Sequence, residues 1–246
     1  MLIKNQGVFP LTQFPSSVTR TERLWRHSLG DCFAQTLDRV NVLGDDDGNY
    51  GHSSCVNALS WARDGSVLLS GGDDRTVRIW RQDPSDTDHA YPFVCTSVLR
   101  TGHKANIFNA QMLPYSSRIV SVAGDRQVRV LDAEVALSDS TTGDLERLHR
   151  VSDTCIKNLR CHHGRVKRIV TEDSPDLFLT VAEDGAVRQH DLRVNHTCGH
   201  GSCPAPIIKC DHELSTLALS PLTPYQFVVA GESAYVFAAV IVYHTQ

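Results

Sequence analysis

A histidine, a hydroxyl-bearing residue and an aspartate recur in this chain at fixed intervals. His52, Ser70 and Asp74 are followed by Trp80, His103, Ser121 and Asp125 by Leu131, and His162, Thr180 and Asp184 by His190. In each copy the aspartate stands 22 residues after the histidine and the last residue 28 after it. Aspartate, histidine and serine can make an activated nucleophile: the carboxylate orients the imidazole, which takes the hydroxyl proton. The same residue types can also brace neighbouring strands as a hydrogen-bonded chain. The copy number separates the two roles. A catalytic site needs one set, whereas a repeated structural unit needs one per unit. The three sets are therefore expected to be structural, so that loss of His52 or Asp74 destabilises more than it inactivates.

Short strands must carry these residues. In the first copy Val56, Leu59 and Trp61 mark an apolar strand, Arg63-Asp64-Gly65 a hairpin turn and Val67-Leu68-Leu69-Ser70 a second strand. Gly71-Gly72-Asp73-Asp74 then turns the chain into Thr76-Val77-Arg78-Ile79-Trp80. Three short strands with turn signals between them specify an antiparallel sheet rather than a βαβ unit. The second copy gives Ile107-Phe108, Arg118 to Ser121 and Val128 to Leu131; the third gives Val166 to Val170, Leu177 to Thr180 and Val187 to His190. Polar loops are expected at Asp83 to His89, Leu137 to Arg147 and Asn195 to Pro206. The first copy, Gly51-His52 … Ser70 … Asp74 … Trp80, resembles a WD-repeat propeller blade.

A fourth copy starts at Ser220-Pro221 and Phe227 to Glu232, which match the third at a shift of 49 residues. There Asp211 replaces the histidine and Ser233 the turn aspartate. The third strand reads Val236-Phe237-Ala238-Ala239 and breaks the pattern. The expected fold is thus all-β: an incomplete WD-repeat propeller, an open arc of about four blades over residues 51–246, with the fourth degenerate. A seven-bladed ring needs about 300 residues, so the sequence reads as a truncated or mis-spliced form, with a four-bladed ring as the alternative. Residues 1–50 form an extension. In it Thr19-Arg20-Thr21-Glu22 suggests a capping box for a short basic helix carrying Leu24, Trp25 and Leu29, followed by one strand within Phe33 to Leu43 and a solvated turn at Asp45 to Asn49.

Composition narrows the function classes. A net charge of -4 gives nonspecific nucleic-acid binding no electrostatic support. Met1 to Phe14 has no long apolar run behind a basic start and does not read as a secretory signal. Asn195-His196-Thr197, a glycosylation-type sequence, is therefore expected to be idle. Ala234 to Tyr243 is apolar but about half as long as a membrane helix. The eight cysteines are scattered, as expected of reduced thiols in an intracellular protein, nuclear or cytoplasmic. Cys198, His200, Cys203, Cys210 and His212 form a metal-like cluster, but C-x4-C without a second pair or strand context does not specify a zinc site. No metal, cofactor or phosphate-cradling loop is expected, since Gly71-Gly72 serves a turn.

Asp191-Leu192-Arg193 directly follows the third strand of the third copy and would set a guanidinium fork on the propeller rim. Gly102-His103-Lys104-Ala105-Asn106-Ile107-Phe108-Asn109-Ala110 with Leu113-Pro114 is similar to a stretch of the cullin-4-associated factors, the substrate receptors of cullin-4 RING ubiquitin ligases. Val56-Asn57 with Trp61, Cys161-His162-His163-Gly164, Ser174-Pro175, Glu183-Asp184-Gly185 and Asp191-Leu192-Arg193 agree in order and sense. The similarity covers about residues 20–235 and is greatest to the branch of associated factors 5, 6 and 8. It implies a non-enzymatic propeller that docks on the damage-specific DNA-binding adaptor of the ligase and recruits a substrate protein by the opposite rim. The adaptor contact would fall on Asp191 and Arg193 and on Arg20, Arg23, Leu24 and Trp25 of the N-terminal helix. Copies one and two, with Trp80-Arg81-Gln82-Asp83 and Leu131-Asp132-Ala133-Glu134, lack a second such box. Three other readings stand beside this one: a general WD-repeat scaffold, a zinc enzyme built on Cys198, His200 and Cys203, and a non-functional truncation with an open blade edge. Neither direct nucleic-acid contact nor a membrane is expected.

Overall fold

The computed structural model describes residues 43–44, 50–83, 93–138, 146–195, 198, 203–223 and 225–241. The chain divides into two compact units, Met1–Asn41 and Val42–Gln246, and the described strands all belong to the second. The expected N-terminal helix with Arg20, Arg23, Leu24 and Trp25, residues 33–42 of the expected strand and the acidic turn at 45–49 lie outside the described residues.

Four sheets follow one another among the described residues. Blade 1 has β1 (Val56–Ala62), β2 (Val67–Gly72), β3 (Thr76–Gln82) and β4 (Phe93–Arg100). Blade 2 has β5 (Ile107–Met112), β6 (Arg118–Ala123) and β7 (Val128–Asp132), and its outermost strand is β9 (Cys155–Leu159). The chain between β7 and β9 holds a short helix α1 (Glu134–Ser138), the strand β8 (Arg147–His149) and a one-turn helix α2 (Val151–Thr154). β8 leaves its own blade and pairs parallel with β4, adding a fifth strand to blade 1. Blade 3 has β10 (Val166–Thr171), β11 (Leu177–Ala182), β12 (Ala186–Asp191) and β13 (Ile208–Lys209). Blade 4 has β14 (Leu214–Leu219), β15 (Gln226–Gly231) and β16 (Phe237–Val240). First strands lie side by side, β1 by β5, β5 by β10 and β10 by β14, the arrangement of blades around a propeller axis. This is an incomplete WD-repeat propeller.

Every first strand carries the same irregularity. Its register slips by one residue between Val56 and Ala58, Ile107 and Asn109, Val166 and Arg168, and Leu214 and Thr216. A bulge of this kind bends the strand and re-aims its side chains. Gly72 lies opposite the slip in blade 1, where an added Cβ would come within 2.3 Å of the Cys55 carbonyl oxygen. Gly71 and Gly72 therefore belong to β2 rather than to the turn expected of them; Gly72 is required by close backbone approach, while a Cβ on Gly71 would press on the Ile107 side chain at 3.0 Å. In the turn itself the left-handed residue is Arg75 (φ 62°), answered by Arg126 (66°) and Gly185 (72°) in the next two blades.

The core fills the spaces between sheets. Leu69, Ile79, Ile107 and Ile119 join in a cluster between blades 1 and 2. Val120, Val130, Ile169 and Phe178 fill the next space, and Leu179, Val181, Leu217 and Phe227 the one after. Because blades 2 and 3 are covered on both faces, their middle strands read as runs rather than alternations. The sequence reading also departs from the structure in its strands. The fourth strands β4 and β9 lie in stretches assigned no element. The third strand of blade 4 is present despite its broken pattern: Phe237 pairs with Val229 and Ala239 with Phe227. Phe237–Val240 of the apolar tail thus form β16, and no described helix is long and apolar enough to cross a membrane.

Candidate functional site

The recurrent sets form three hydrogen-bonded chains running from a turn into a sheet. In blade 1, Asp74 Oδ2 lies 2.7 Å from His52 Nδ1, and His52 Nε2 lies 2.7 Å from Ser70 Oγ. Trp80 Nε1–H donates to Ser70 Oγ at 2.7 Å. The carboxylate only accepts, so it fixes the proton on Nδ1 and leaves Nε2 to accept from the serine. That is the orientation of a catalytic triad. Ser70, however, is only 2% exposed and its oxygen already holds two partners, which leaves no approach for a substrate carbonyl. In blade 2, His103 Nδ1 stands 3.0 Å from Asp125 and Nε2 stands 3.0 Å from Ser121 Oγ, with the buried Leu131 where a fourth polar group would stand. In blade 3, Thr180 Oγ1 lies 2.8 Å from both His162 Nε2 and His190 Nε2. His190 thus stands in for the tryptophan, and its ring stacks on Phe178 at 4.9 Å.

Each aspartate also ties down its turn. Asp74 Oδ1 accepts from Thr76 N–H and Thr76 Oγ1–H at 3.0 and 2.9 Å. Asp125 accepts from the N–H groups of Lys104 and Gln127, and Asp184 from those of His163 and Ala186. Burial alone would raise these carboxyls. Hydrogen bonds from the histidines and the backbone outweigh it, holding Asp74 at about 2 and Asp125 and Asp184 below the ordinary range.

The Asp-x-Arg box closes blade 3. Asp191, the last residue of β12, pairs with Leu177. Arg193 Nε and Nη2 donate to Asp191 Oδ1 and Oδ2 at 2.9 and 2.7 Å, and Arg193 N–H donates to Oδ1 at 2.9 Å. The guanidinium beside Asp191 holds that carboxyl below its ordinary range. Leu192 is buried between the two and donates its N–H to the Asp176 carbonyl at 2.9 Å. Lys157 of β9 donates to the Leu192 carbonyl at 2.6 Å, and Arg118 of β6 reaches Asp176 Oδ1 at 2.8 Å. Blade 2 therefore clamps the backbone beneath the box, while the Arg193 side chain stays 64% exposed. Asp176, Lys157 and Arg118 belong to no motif, and their spacing gave no sign of this role.

The cysteines group differently from the sequence reading. Cys198 and Cys203 come together with Cys161, their sulfurs all within 4.8 Å of one another. Cys210 packs instead with the apolar cluster between blades 3 and 4. His200 lies outside the described residues. The seven described cysteines are free thiols.

Comparison with known proteins gives a family match and several relatives. The family described as WD domain, G-beta repeat, matches residues 46–81. The chain is 34% identical over 193 residues, 76% of its length, to WD repeat protein iqw1 of Schizosaccharomyces pombe. It is 30% identical over 80% of its length to Protein ALTERED SEED GERMINATION 2 of Arabidopsis thaliana, and 31% identical over 72% to DDB1- and CUL4-associated factor 6 of Homo sapiens. These matches span only 22%, 27% and 19% of the respective relatives.

Proposed function

We propose that this chain, a member of the WD-repeat protein family, is a non-enzymatic scaffold that serves as a substrate-receptor subunit of a cullin-4 RING ubiquitin ligase. The geometry of Asp191-Leu192-Arg193 carries the reading. An exposed guanidinium, set by a bidentate carboxylate contact over backbone clamped by two blades, reaches a partner with little side-chain entropy left to lose. Arginine so held is a frequent centre of interface energy. The similarity to a protein named as DDB1- and CUL4-associated supports the choice of partner, the DNA-damage-binding adaptor of that ligase. Arg20, Arg23, Leu24 and Trp25 would add the second half of the contact. Ubiquitin transfer would belong to the RING partner, and a substrate protein would meet another face of the propeller, in the nucleus or cytoplasm.

The test is affinity purification of the tagged chain beside Arg193→Ala and Arg193→Lys, with quantitative mass spectrometry of the adaptor. Truncating an interface arginine of this kind costs about 2 kcal/mol, or about a 30-fold loss of affinity. Lysine cannot restore the fork and should recover little. Equal adaptor recovery from wild type and both variants, with all three folded, would sink the box as the contact. An adaptor-free wild type that captures other proteins would favour a general WD-repeat scaffold.

A further inference from the structure

Three sulfurs meet at the junction of blades 2 and 3. Cys161 lies between β9 and β10, one residue before His162 of the polar chain. Cys198 and Cys203 lie in the long connection from β12 to β13. The two segments are 37 residues apart at the nearest cysteines, yet Cys161 Sγ and Cys198 Sγ are 3.5 Å apart. All three sulfurs fall within 4.8 Å of one another, and among the described residues no other cysteine, histidine, aspartate or glutamate completes the group. Cys161 is buried, while Cys198 and Cys203 are half-buried against the same apolar cluster.

Three spacings are chemically distinct here. A disulfide needs sulfurs about 2.05 Å apart and joins only two of them. Thiols packed as small hydrophobes meet at ordinary van der Waals contact. Tetrahedral zinc thiolates, at about 2.3 Å from the metal, set their sulfurs about 3.8 Å from one another. The 3.5 Å between Cys161 and Cys198 is close to that value, and no pair in the trio is more than 4.8 Å apart. A second feature suits charged sulfur: the Arg160 backbone N–H donates to Cys198 Sγ at 3.2 Å. An N–H aimed at sulfur stabilises a thiolate ligand and fixes its direction.

We propose that Cys161, Cys198 and Cys203 bind one zinc ion, with a fourth donor from outside this trio. The site would form when zinc(II) from solution binds and the three thiols each release a proton to solvent to become thiolates, with no change of oxidation state. Its effect is mechanical. It would fasten the β12–β13 connection, which leaves β12 at the Asp191–Arg193 box, to the link between blades 2 and 3. The proposal is independent of the ligase reading, since a zinc staple would serve any propeller of this sequence.

The measurement is zinc per chain in the full-length protein, purified under a non-metal-binding reductant and dialysed against metal-free buffer. The wild type should retain about one zinc per chain, and Cys161→Ser, Cys198→Ser and Cys203→Ser should each retain less than about a tenth of that. Cys210→Ser, a thiol of the neighbouring cluster, should retain it all. If a serine variant fails to fold, cobalt(II) added to zinc-stripped wild type decides by itself. Thiolate-to-cobalt charge-transfer absorption with tetrahedral d–d bands, displaced by one equivalent of zinc, supports the site. Three free thiols in a folded wild type that holds neither metal would overturn it. So would a Cys161–Cys198 disulfide, seen as a loss of two mass units under the same reducing conditions.

Discussion

Blades 3 and 4 have the same strand pattern but not the same polar chain. At a shift of 49 residues Phe178 answers to Phe227, Thr180 to Val229, Asp184 to Ser233 and His190 to Ala239. The strand pairing is the same at these positions: Phe178 lies opposite His190, and Phe227 opposite Ala239. β14 runs one residue out of that shift, with Leu214 in the place of Val166, so the position of His162 falls to Cys210 rather than Asp211. Blade 4 thus keeps no member of the His–Thr–Asp–His chain, yet it has three paired strands and the same bulge. The strands therefore follow from apolar patterning and strand pairing. The polar chain adds something else: it anchors the turn, through backbone N–H groups that Asp184 accepts from His163 and Ala186.

The first way to break this comparison is to attack what the two blades share. Phe178→Ala and Phe227→Ala each remove a side chain no more than 1% exposed and should each cost about 3–5 kcal/mol of unfolding free energy in urea. An unchanged midpoint for Phe227→Ala would mean that blade 4 does not rest on its apolar face. The second attacks what differs. Asp184→Ala strands a buried imidazole and two backbone donors and should cost about 2–3 kcal/mol, while Ser233→Ala stays within about 0.5. Similar losses for both would dissolve the distinction.

Acid gives the smallest and most specific effect. Asp74 titrates at about 2 when folded, below its ordinary 3.8, so between those values the unfolded chain binds the proton more readily. Stability from this group is fully present above about pH 4 and is lost as pH falls toward 2, by about 1–2 kcal/mol. Asp74→Asn should flatten that limb of a pH–stability curve, with Ser233→Ala as the unchanged control. A limb as steep in Asp74→Asn as in wild type would assign acid sensitivity to other carboxylates.

Much of the propeller could be read from residues that recur. A constant offset between His52 and Asp74 is a constant distance across a β1–β2–β3 sheet, so the spacing exposes the geometry. Strands without a marker residue escaped. Phe93-Val94-Cys95-Thr96-Ser97-Val98-Leu99 is rich in β-forming residues and lay open to recognition as β4, but no repeated polar residue pointed to it. β16 escapes because Val236-Phe237-Ala238-Ala239 does not read like Val187-Arg188-Gln189-His190, although pairing needs none of those residues. The thiol cluster was illegible for another reason. Its third member comes from a different blade, and sequence proximity favoured Cys210 and His212 over Cys161. The clamp beneath Arg193 was hidden in the same way, since Lys157 and Arg118 reach it only once blades 2 and 3 have met.

Repeat arrays are usually thought of as beads, each finished before the next begins. The excursion of β8 onto β4 departs from that picture. Ser97, Val98 and Leu99 find their outer partners only in Arg147, Leu148 and His149, after the first three strands of the following blade have been made. On a ribosome, blade 1 would wait with an incomplete edge, open to other chains, until its neighbour was nearly synthesised. The half-buried pair of Arg78 and Glu146 closes at that same moment, as does the hydrogen bond from Gly51 N–H to Glu146 at 3.0 Å. The two blades are in this sense one folding event, written as two repeats.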